Sequence, residues 1–277
     1  MYRKIFIDKY LKNGFSFDEA KVEVDFALEV LFNYTYKDFM LGKTIEKWQL
    51  AKYDKVLNER LSTHRPLQQI IGQAFFYGRK FFVNEYTLIP RPETELLVAE
   101  TLKIAQEFDN PQILDIGTGT GCIPITLVLE NGSISADSID ISLEAIETAE
   151  KNALLHNIYE KVKFTQSNIF ENVTDKYNII VSNPPYIPLK DKESLQIEVR
   201  DYDPPSALFT SDEHGVEFYK KIVQSAKEYL LAGGFLLFEL GVNQYLIVEK
   251  LLKDNDFKDI KVVQDYNSIE RIIVAKR

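Results

Sequence analysis

Along residues 1–65 the apolar side chains recur at helical spacing. In SFDEAKVEVDFALEVLF, Val22, Phe26 and Val30 fall four residues apart, so they share one helix face. The segment opens on Ser16 with Glu19 three residues later, the pattern of a capping box. TIEKWQLAKYDKVLNERL has the same spacing and stops before Arg65-Pro66, because proline pushes the preceding residue out of the helical region. A small helical bundle is expected here, with Trp48 and the neighbouring Phe and Tyr residues in its core. Residues 69–89, QIIGQAFFYGRKFFVNEYTLI, place Gly78 between two aromatic runs and predict a β-hairpin. PRPETELLVAETLKIAQEF then starts a helix, with prolines ahead of it and acids in its first turn.

From residue 111 the pattern becomes strand, helix, strand, helix. Strands are expected at 112–116, 134–140, 161–166, 177–182, 234–240, 258–264 and 270–276, with helices between them, as at 142–156 and 215–231. Such alternation predicts an α/β fold with a largely parallel sheet covered on both faces. Ligands in these sheets bind beyond the carboxyl ends of the strands, where strand order reverses. The longest irregular stretch, 183–212, is long enough to read as a functional loop rather than a connection.

The length, 277 residues, suits one large domain and one smaller one. No apolar run reaches the ~18 residues of a membrane-spanning helix, and the charged N-terminus, MYRKIFIDKYLKNG, does not resemble a signal peptide. Cys122 is the only cysteine, which excludes a disulfide within the chain and fits a cytoplasmic protein. His64, His156 and His214 lie far apart without companion ligands, so no metal site is expected. The net charge of −9 divides into +4 over residues 1–80 and −13 over the remainder. An acidic catalytic region grips bare duplex nucleic acid poorly, since phosphate neutralisation supplies most of that affinity. The mildly basic N-terminal part suits an acidic partner, or is simply solvated surface.

Candidate chemistry sits at four strand ends. ILDIGTGTGCIPITLVL places Gly117, Thr118, Gly119, Thr120 and Gly121 after a strand that ends near Asp115. This G-x-G-x-G is not the dinucleotide fingerprint, because residue 122 is Cys and the third glycine of that fingerprint, needed for close helix–strand packing, is missing. Glycines at alternate positions let a ligand lie against bare backbone. Asp140 ends the next strand, 23 residues after Gly117, where a carboxylate can accept from both hydroxyls of a ribose. Ser142, rather than Asp140, is the better N-cap for the helix that follows. Asn168, after the third strand, can accept from an adenine amino group or cap a turn. The set suits S-adenosylmethionine, which offers ribose, adenine and a sulfonium but no phosphate; an acidic pocket tolerates that cation.

The fourth strand ends on Asn183-Pro184-Pro185-Tyr186. A planar nitrogen, in an amide or an exocyclic base amine, has its lone pair delocalised and is a poor nucleophile. Two acceptors on its N–H bonds, the Asn183 side-chain oxygen and the Pro184 carbonyl, can aim that lone pair at a methyl group. The prolines stiffen the loop, and Tyr186 can lie against the planar group.

NPPY after such a sheet is shared by enzymes that methylate DNA adenines and by enzymes that methylate protein glutamine. Together with RPLQQIIGQAFFYGRKFFVNEYTLIPRPETELLV, DIGTGTG, VSNPPYIP, EVRDYDPPSALF, GGFLLFELG and QDYNSIERIIVAKR, it makes nearly the whole chain resemble the peptide chain release factor N5-glutamine methyltransferases. The resemblance implies a seven-stranded class I S-adenosylmethionine-dependent methyltransferase (Rossmann-like) sheet. It also implies a helical release-factor-docking domain at 1–68, a hairpin linker at 69–92 and the methyltransferase domain at 93–277. The implied substrate is the glutamine of the Gly-Gly-Gln loop of class 1 release factors. Residues 117–121 and Asp140 would bind the cofactor, Asn183 would touch cofactor and acceptor, and 183–186 would frame the glutamine. Two positions depart from the family pattern: Asn168 stands where an acid is common, and Cys122 where a small residue is. Arg91 and Arg200 lie in family-like stretches, as lid contacts or structural ion pairs. The rival readings are a DNA or RNA adenine amino-methyltransferase, and a protein that binds the cofactor as a signal without chemistry.

Overall fold

The computed structural model describes residues 2–277, and the chain divides by contact into two units, Met1–Gln73 with Ile197–Tyr202, and Ala74–Gln196 with Asp203–Arg277. The first is helical: α1 (Tyr2–Lys12), α2 (Phe17–Phe32), α3 (Tyr36–Met40), α4 (Lys47–Thr63) and α5 (Leu67–Ile71). Ser16 and Glu19 cap α2 reciprocally, each side chain bonding the other residue's backbone N–H. Phe6, Tyr10, Val24, Leu28, Tyr53 and Leu57 form the core, with Phe6 stacked on Tyr53 at 3.8 Å between ring centroids. Trp48 does not join them. It is 60% exposed, meets Phe32 edge-on, and donates its indole N–H to Glu46.

The segment 197–202 packs with this unit because it supplies what α4 and α5 lack. The buried Arg60 guanidinium pairs with Glu23 at 2.7 Å and with Glu198 at 3.0 Å. Gln69 donates to the Tyr202 carbonyl, and the Tyr202 hydroxyl donates to the Thr63 carbonyl at the end of α4. A division by sequence at 68/69 and 92/93 leaves these residues with the sheet; the contacts place them with the helices.

The second unit begins with the hairpin, shorter than expected: β1 (Gln73–Phe76) and β2 (Arg79–Phe82). Tyr77 and Gly78 both take positive φ, 52° and 71°, the turn whose twist matches a two-residue hairpin. Then come α6 (Thr94–Ala105), β3 (Gln112–Ile116), α7 (Cys122–Glu130), β4 (Ser135–Asp140), α8 (Leu143–Leu155), β5 (Val162–Gln166) and β6 (Tyr177–Ser182). After β6, the loop carries a two-residue ladder, β7 (Ile187–Pro188) with β8 (Phe209–Thr210), around α9 (Ile197–Tyr202) and α10 (Pro205–Leu208). The chain closes with α11 (Glu217–Tyr229), β9 (Leu230–Glu239), α12 (Tyr245–Asp254), β10 (Lys258–Gln264) and β11 (Glu270–Lys276).

Seven of these strands form one sheet in the order β10-β11-β9-β6-β3-β4-β5. Only the pairings of β11 are antiparallel. The near-continuous apolar runs follow from burial on both faces. Ile113, Ile179, Val181, Leu237 and Ile272 face α6 and α7 on one side; their neighbours Leu114, Ile180, Leu236 and Ile273 face α11 and α12 on the other. The chain leaves β3 towards β4 and β5, then returns across β3 to β6, so the reversal of strand order lies between Ile116 and Ser182, which are paired in register. The Ser182 hydroxyl donates to the Ile116 carbonyl at 2.7 Å and ties the two strand ends together.

Candidate active site

A cavity of about 260 Å³ opens at this reversal, walled by Ile116 to Thr120, Asp140 to Ser142, Ser167 to Ile169 and Ser182 to Pro185. Four strand ends thus converge as expected from the strand order, and a second wall comes from Tyr86, Leu88, Arg91 and Thr94 on one side and Ala207, Phe209 and Phe218 on the other. The charged wall residues are Asp140 and Arg91. The pocket is therefore mainly apolar, with the expected acidity reduced to one carboxylate at the wall and others buried behind it.

The glycine loop is held by the neighbouring strand. Gly117 and Thr118 donate their N–H groups to the Ile139 carbonyl, and Gly119 donates to Asp140 Oδ2 at 2.9 Å. A Cβ added at Gly117 or Gly119 meets no atom within 4 Å, so bare backbone borders open cavity there. Gly121 differs. Its φ is +76°, and a Cβ would come within 3.0 Å of Ala149 on α8 and Ile125 on α7. Gly121 is thus a close-packing glycine, but between α7 and α8 rather than between helix and strand.

Asp140 Oδ1 accepts from the Ser142 N–H at 3.0 Å, while the Ser142 hydroxyl caps α8 by accepting from Ala145. Burial pushes the Asp140 carboxyl above its usual range, against these backbone bonds. Each oxygen accepts one N–H and retains further acceptor capacity. Asn168 is exposed at the cavity wall in a turn closed by the Glu171 N–H on its carbonyl.

Asp115, two residues before Gly117, is completely buried, and among the described residues neither carboxylate oxygen has a well-formed hydrogen bond, the Thr118 hydroxyl being the group that opposes its neutralisation. Burial raises its pKa to about 7. Between the unfolded value near 4 and this folded value the native state holds a proton that the unfolded chain has released. The stability this contributes is therefore full below about pH 4 and lost as pH rises through 7. Asp115→Asn is expected to raise the melting temperature of the unliganded protein at pH 8 and change it little at pH 4.5. Calorimetry at the two pH values checks this; an equal shift at both contradicts it.

The expected acceptor residues separate. Asn183, Pro184 and Pro185 wall the cavity and Tyr186 does not. Its ring packs towards Gly241, where a Cβ would meet Tyr186 Cδ2 at 2.9 Å, and burial pushes its hydroxyl up to about 12. Its carbonyl accepts from Gln244 Nε2 at 2.8 Å, the same amide that donates to His214. Tyr186 thus anchors the loop from behind, and the aromatic surface at the cavity comes from Tyr86, Phe209 and Phe218.

Arg91 pairs with the buried Asp203 at 2.6 Å; burial lifts that carboxyl to about 6, and Arg91 opposes the rise. Arg200 pairs with its neighbour Asp201 at 2.8 Å. Asn183 Nδ2 donates to Thr94 Oγ1 at 3.2 Å, and Thr94 Oγ1 donates to Glu239 Oε2 at 2.7 Å. Neither Thr94 nor Glu239 is anticipated from sequence. Glu239 had a signal: one acid inside the buried run FLLFEL, where an ionisable group needs a partner. Thr94 had none.

The MTS family, methyltransferase small domain, matches residues 92–199. A release factor glutamine methyltransferase of Fusobacterium nucleatum is 39% identical over 97% of this chain and 76% of its own length. One of Flavobacterium psychrophilum is 39% identical over 93% of this chain and 92% of its own. The crystal structure of a methyltransferase from Pyrococcus furiosus superposes with a TM-score of 0.53 at 14% identity, covering 82% of this chain and 98% of that one. The seven-stranded class I methyltransferase sheet expected from sequence is the fold observed.

Proposed function

This chain belongs to the release factor glutamine methyltransferases, and from that premise we propose that it transfers a methyl group to the side-chain nitrogen of the Gly-Gly-Gln glutamine in class 1 release factors, in the cytoplasm. The observation that carries the proposal is the placement of Asn183 and Pro184 on the wall of the cavity that also holds Gly117, Gly119 and Asp140.

The residues present fit S-adenosylmethionine. The wall at Gly117 and Gly119 is free of side chains, and Asp140 retains acceptor capacity for ribose hydroxyls. When bound, the cofactor supplies a methyl carbon on a sulfonium sulfur. Asn183 Oδ1 and the Pro184 carbonyl accept the two N–H bonds of the glutamine amide and turn its nitrogen towards that carbon. The methyl carbon would pass from sulfur to that nitrogen, and the proton the methylated nitrogen sheds would go to solvent at the mouth of the cavity. No base in contact is needed; orientation carries the rate, with a ceiling of roughly 7–11 kcal/mol in well-aligned systems. The largely apolar wall lowers the competition of water for the amide's two hydrogen bonds.

The first unit, with exposed Tyr36, Met40, Leu41 and Trp48, is assigned to gripping the release factor. Incubation with labelled S-adenosylmethionine, a class 1 release factor and duplex DNA tests the reading. One added methyl on the loop glutamine, located by mass spectrometry, is the expected result. Label on DNA with an unlabelled release factor overturns it in favour of adenine methylation.

A further inference from the structure

The orientation of the Asn183 amide decides whether it can receive an N–H bond at all, and the two halves of that amide are nearly identical in shape. Nothing steric prevents a 180° turn that exchanges Oδ1 for Nδ2. The discrimination must come from hydrogen bonding, and the partner is Thr94, 3.2 Å from Asn183 Nδ2 and 89 residues away in sequence.

Thr94 has one hydroxyl hydrogen. Its Oγ1 lies 2.7 Å from Glu239 Oε2, and an ionised carboxylate only accepts. The hydrogen therefore goes to Glu239, and Thr94 Oγ1 is left as an acceptor. It can be satisfied by the Asn183 NH₂ and not by the Asn183 oxygen. Thr94 is 3% and Glu239 2% exposed, so bulk water cannot substitute. We propose that ionised Glu239, acting through the Thr94 hydroxyl, fixes the rotamer of the Asn183 amide so that its oxygen faces the methyl acceptor. The proposal rests on the methyltransferase reading and adds two positioning residues to it.

A neutral group at 239 reverses the logic. A protonated Glu239 can donate to Thr94, which frees the Thr94 hydrogen for Asn183 Oδ1. The amide then turns its NH₂ into the cavity, donor against donor, and the acceptor is no longer held. Burial pushes Glu239 to about 7, opposed by the Thr94 hydrogen bond, by Arg271 and by a hydrogen bond from the Asn183 amide itself, so a neutral Glu239 loosens both its direct and its relayed hold on that amide. The ionisable groups around it are Glu93 beside α6, Cys122 on α7, Tyr186, Tyr219 on α11 and Arg271 on β11. Arg271 is the cation among them and is itself paired with Asp265 at 3.0 Å.

The test has two arms. The first needs no methyl acceptor: the side-chain amide resonances of Asn183 are followed by ¹⁵N NMR from pH 8.5 to 5.5. They are expected to shift in the wild type, and to be displaced but flat with pH in Glu239→Gln. Resonances unmoved by pH in the wild type and unmoved by Glu239→Gln overturn the proposal, whatever the methyl acceptor proves to be. The second arm is kinetic. Thr94→Val, of equal volume but without the hydroxyl, is expected to lower kcat by about 10- to 100-fold, with KM for the release factor and cofactor affinity within about threefold. Thr94→Ser is expected to restore most of the rate. If Thr94→Val unfolds because Glu239 loses its partner, the double variant Thr94→Val/Glu239→Gln removes the buried charge and is read instead. A hydroxyl-free variant with wild-type kcat, or equal loss in Thr94→Ser and Thr94→Val, overturns the relay. Absence of transfer to release factor by the wild type sinks the functional reading and leaves the first arm to judge this one.

Discussion

Asn183→Ala is expected to slow methyl transfer by about 10³-fold, the scale of losing one preorganised hydrogen-bonding group at a reacting centre, while cofactor affinity changes by less than about tenfold. The separation follows from where the groups sit. Gly117, Gly119 and Asp140 come from β3 and β4, and Asn183 comes from the end of β6. Alanine leaves the glycine loop and the Asp140 carboxylate in place and removes the oxygen proposed to receive the substrate N–H. It also leaves Thr94 without its donor, though Thr94 keeps its bond to Glu239. Single-turnover rates with labelled cofactor, beside calorimetric binding of the cofactor alone, separate the two effects. A variant that transfers methyl at near the wild-type rate contradicts the orientation mechanism. A variant that loses cofactor binding and turnover together assigns Asn183 to the cofactor instead.

Gly215→Ala is expected to destabilise the protein by ~3 kcal/mol or more, combining left-handed strain of ~1–2 kcal/mol with overpacking of ~1–3 kcal/mol. Gly215 has φ +73°, and a Cβ there would lie 2.1 Å from the Tyr186 carbonyl oxygen and 2.4 Å from Gln244 Nε2. Backbone cannot yield as a flexible side-chain tip can. The atoms that must move are the hydrogen bond between Gln244 and Tyr186, which holds the loop carrying Asn183 and Pro184. Turnover measured well below the melting temperature should therefore fall too, in protein that circular dichroism shows to be folded. Gly119→Ala provides the contrast. Its φ of +53° carries the same left-handed strain of ~1–2 kcal/mol, but a Cβ meets nothing within 4 Å, so it lacks the overpacking cost and its distinguishing effect should be on cofactor affinity. Unchanged stability in Gly215→Ala would mean that the loop relaxes without cost, and the anchoring role of Tyr186 would have to be given up.

The candidate site is legible from sequence where its parts are local. Gly117, Gly119, Asp140 and Asn183 each follow a strand whose apolar run is visible in the chain, and a parallel sheet brings such ends to one edge. The same holds for the Ser16–Glu19 cap, set three residues apart. The run Asn183 to Tyr186 suggests that Tyr186 lines the cavity with its neighbours, yet its ring lies outside the lining. Gly241, 55 residues on, leaves room for its ring on the other side, and Gln244 takes its carbonyl. Residue type alone puts Trp48 in the core, yet its position on α4 leaves it exposed.

What the amino-acid sequence determined by itself was the kind and order of the sheet's strands and the helices between them, because apolar runs and helical spacing are written in neighbouring residues; the short elements within 183–212 were not legible. It also determined which residues stand at strand ends. Only the tertiary structure decided which of those ends face one another and what lies behind them. Thr94 and Glu239 are 145 residues apart, and residues 197–202 pair with a guanidinium on α4. Such contacts depend on chain topology and on the demand that every buried charge find a partner, and neither is encoded in any short stretch of sequence.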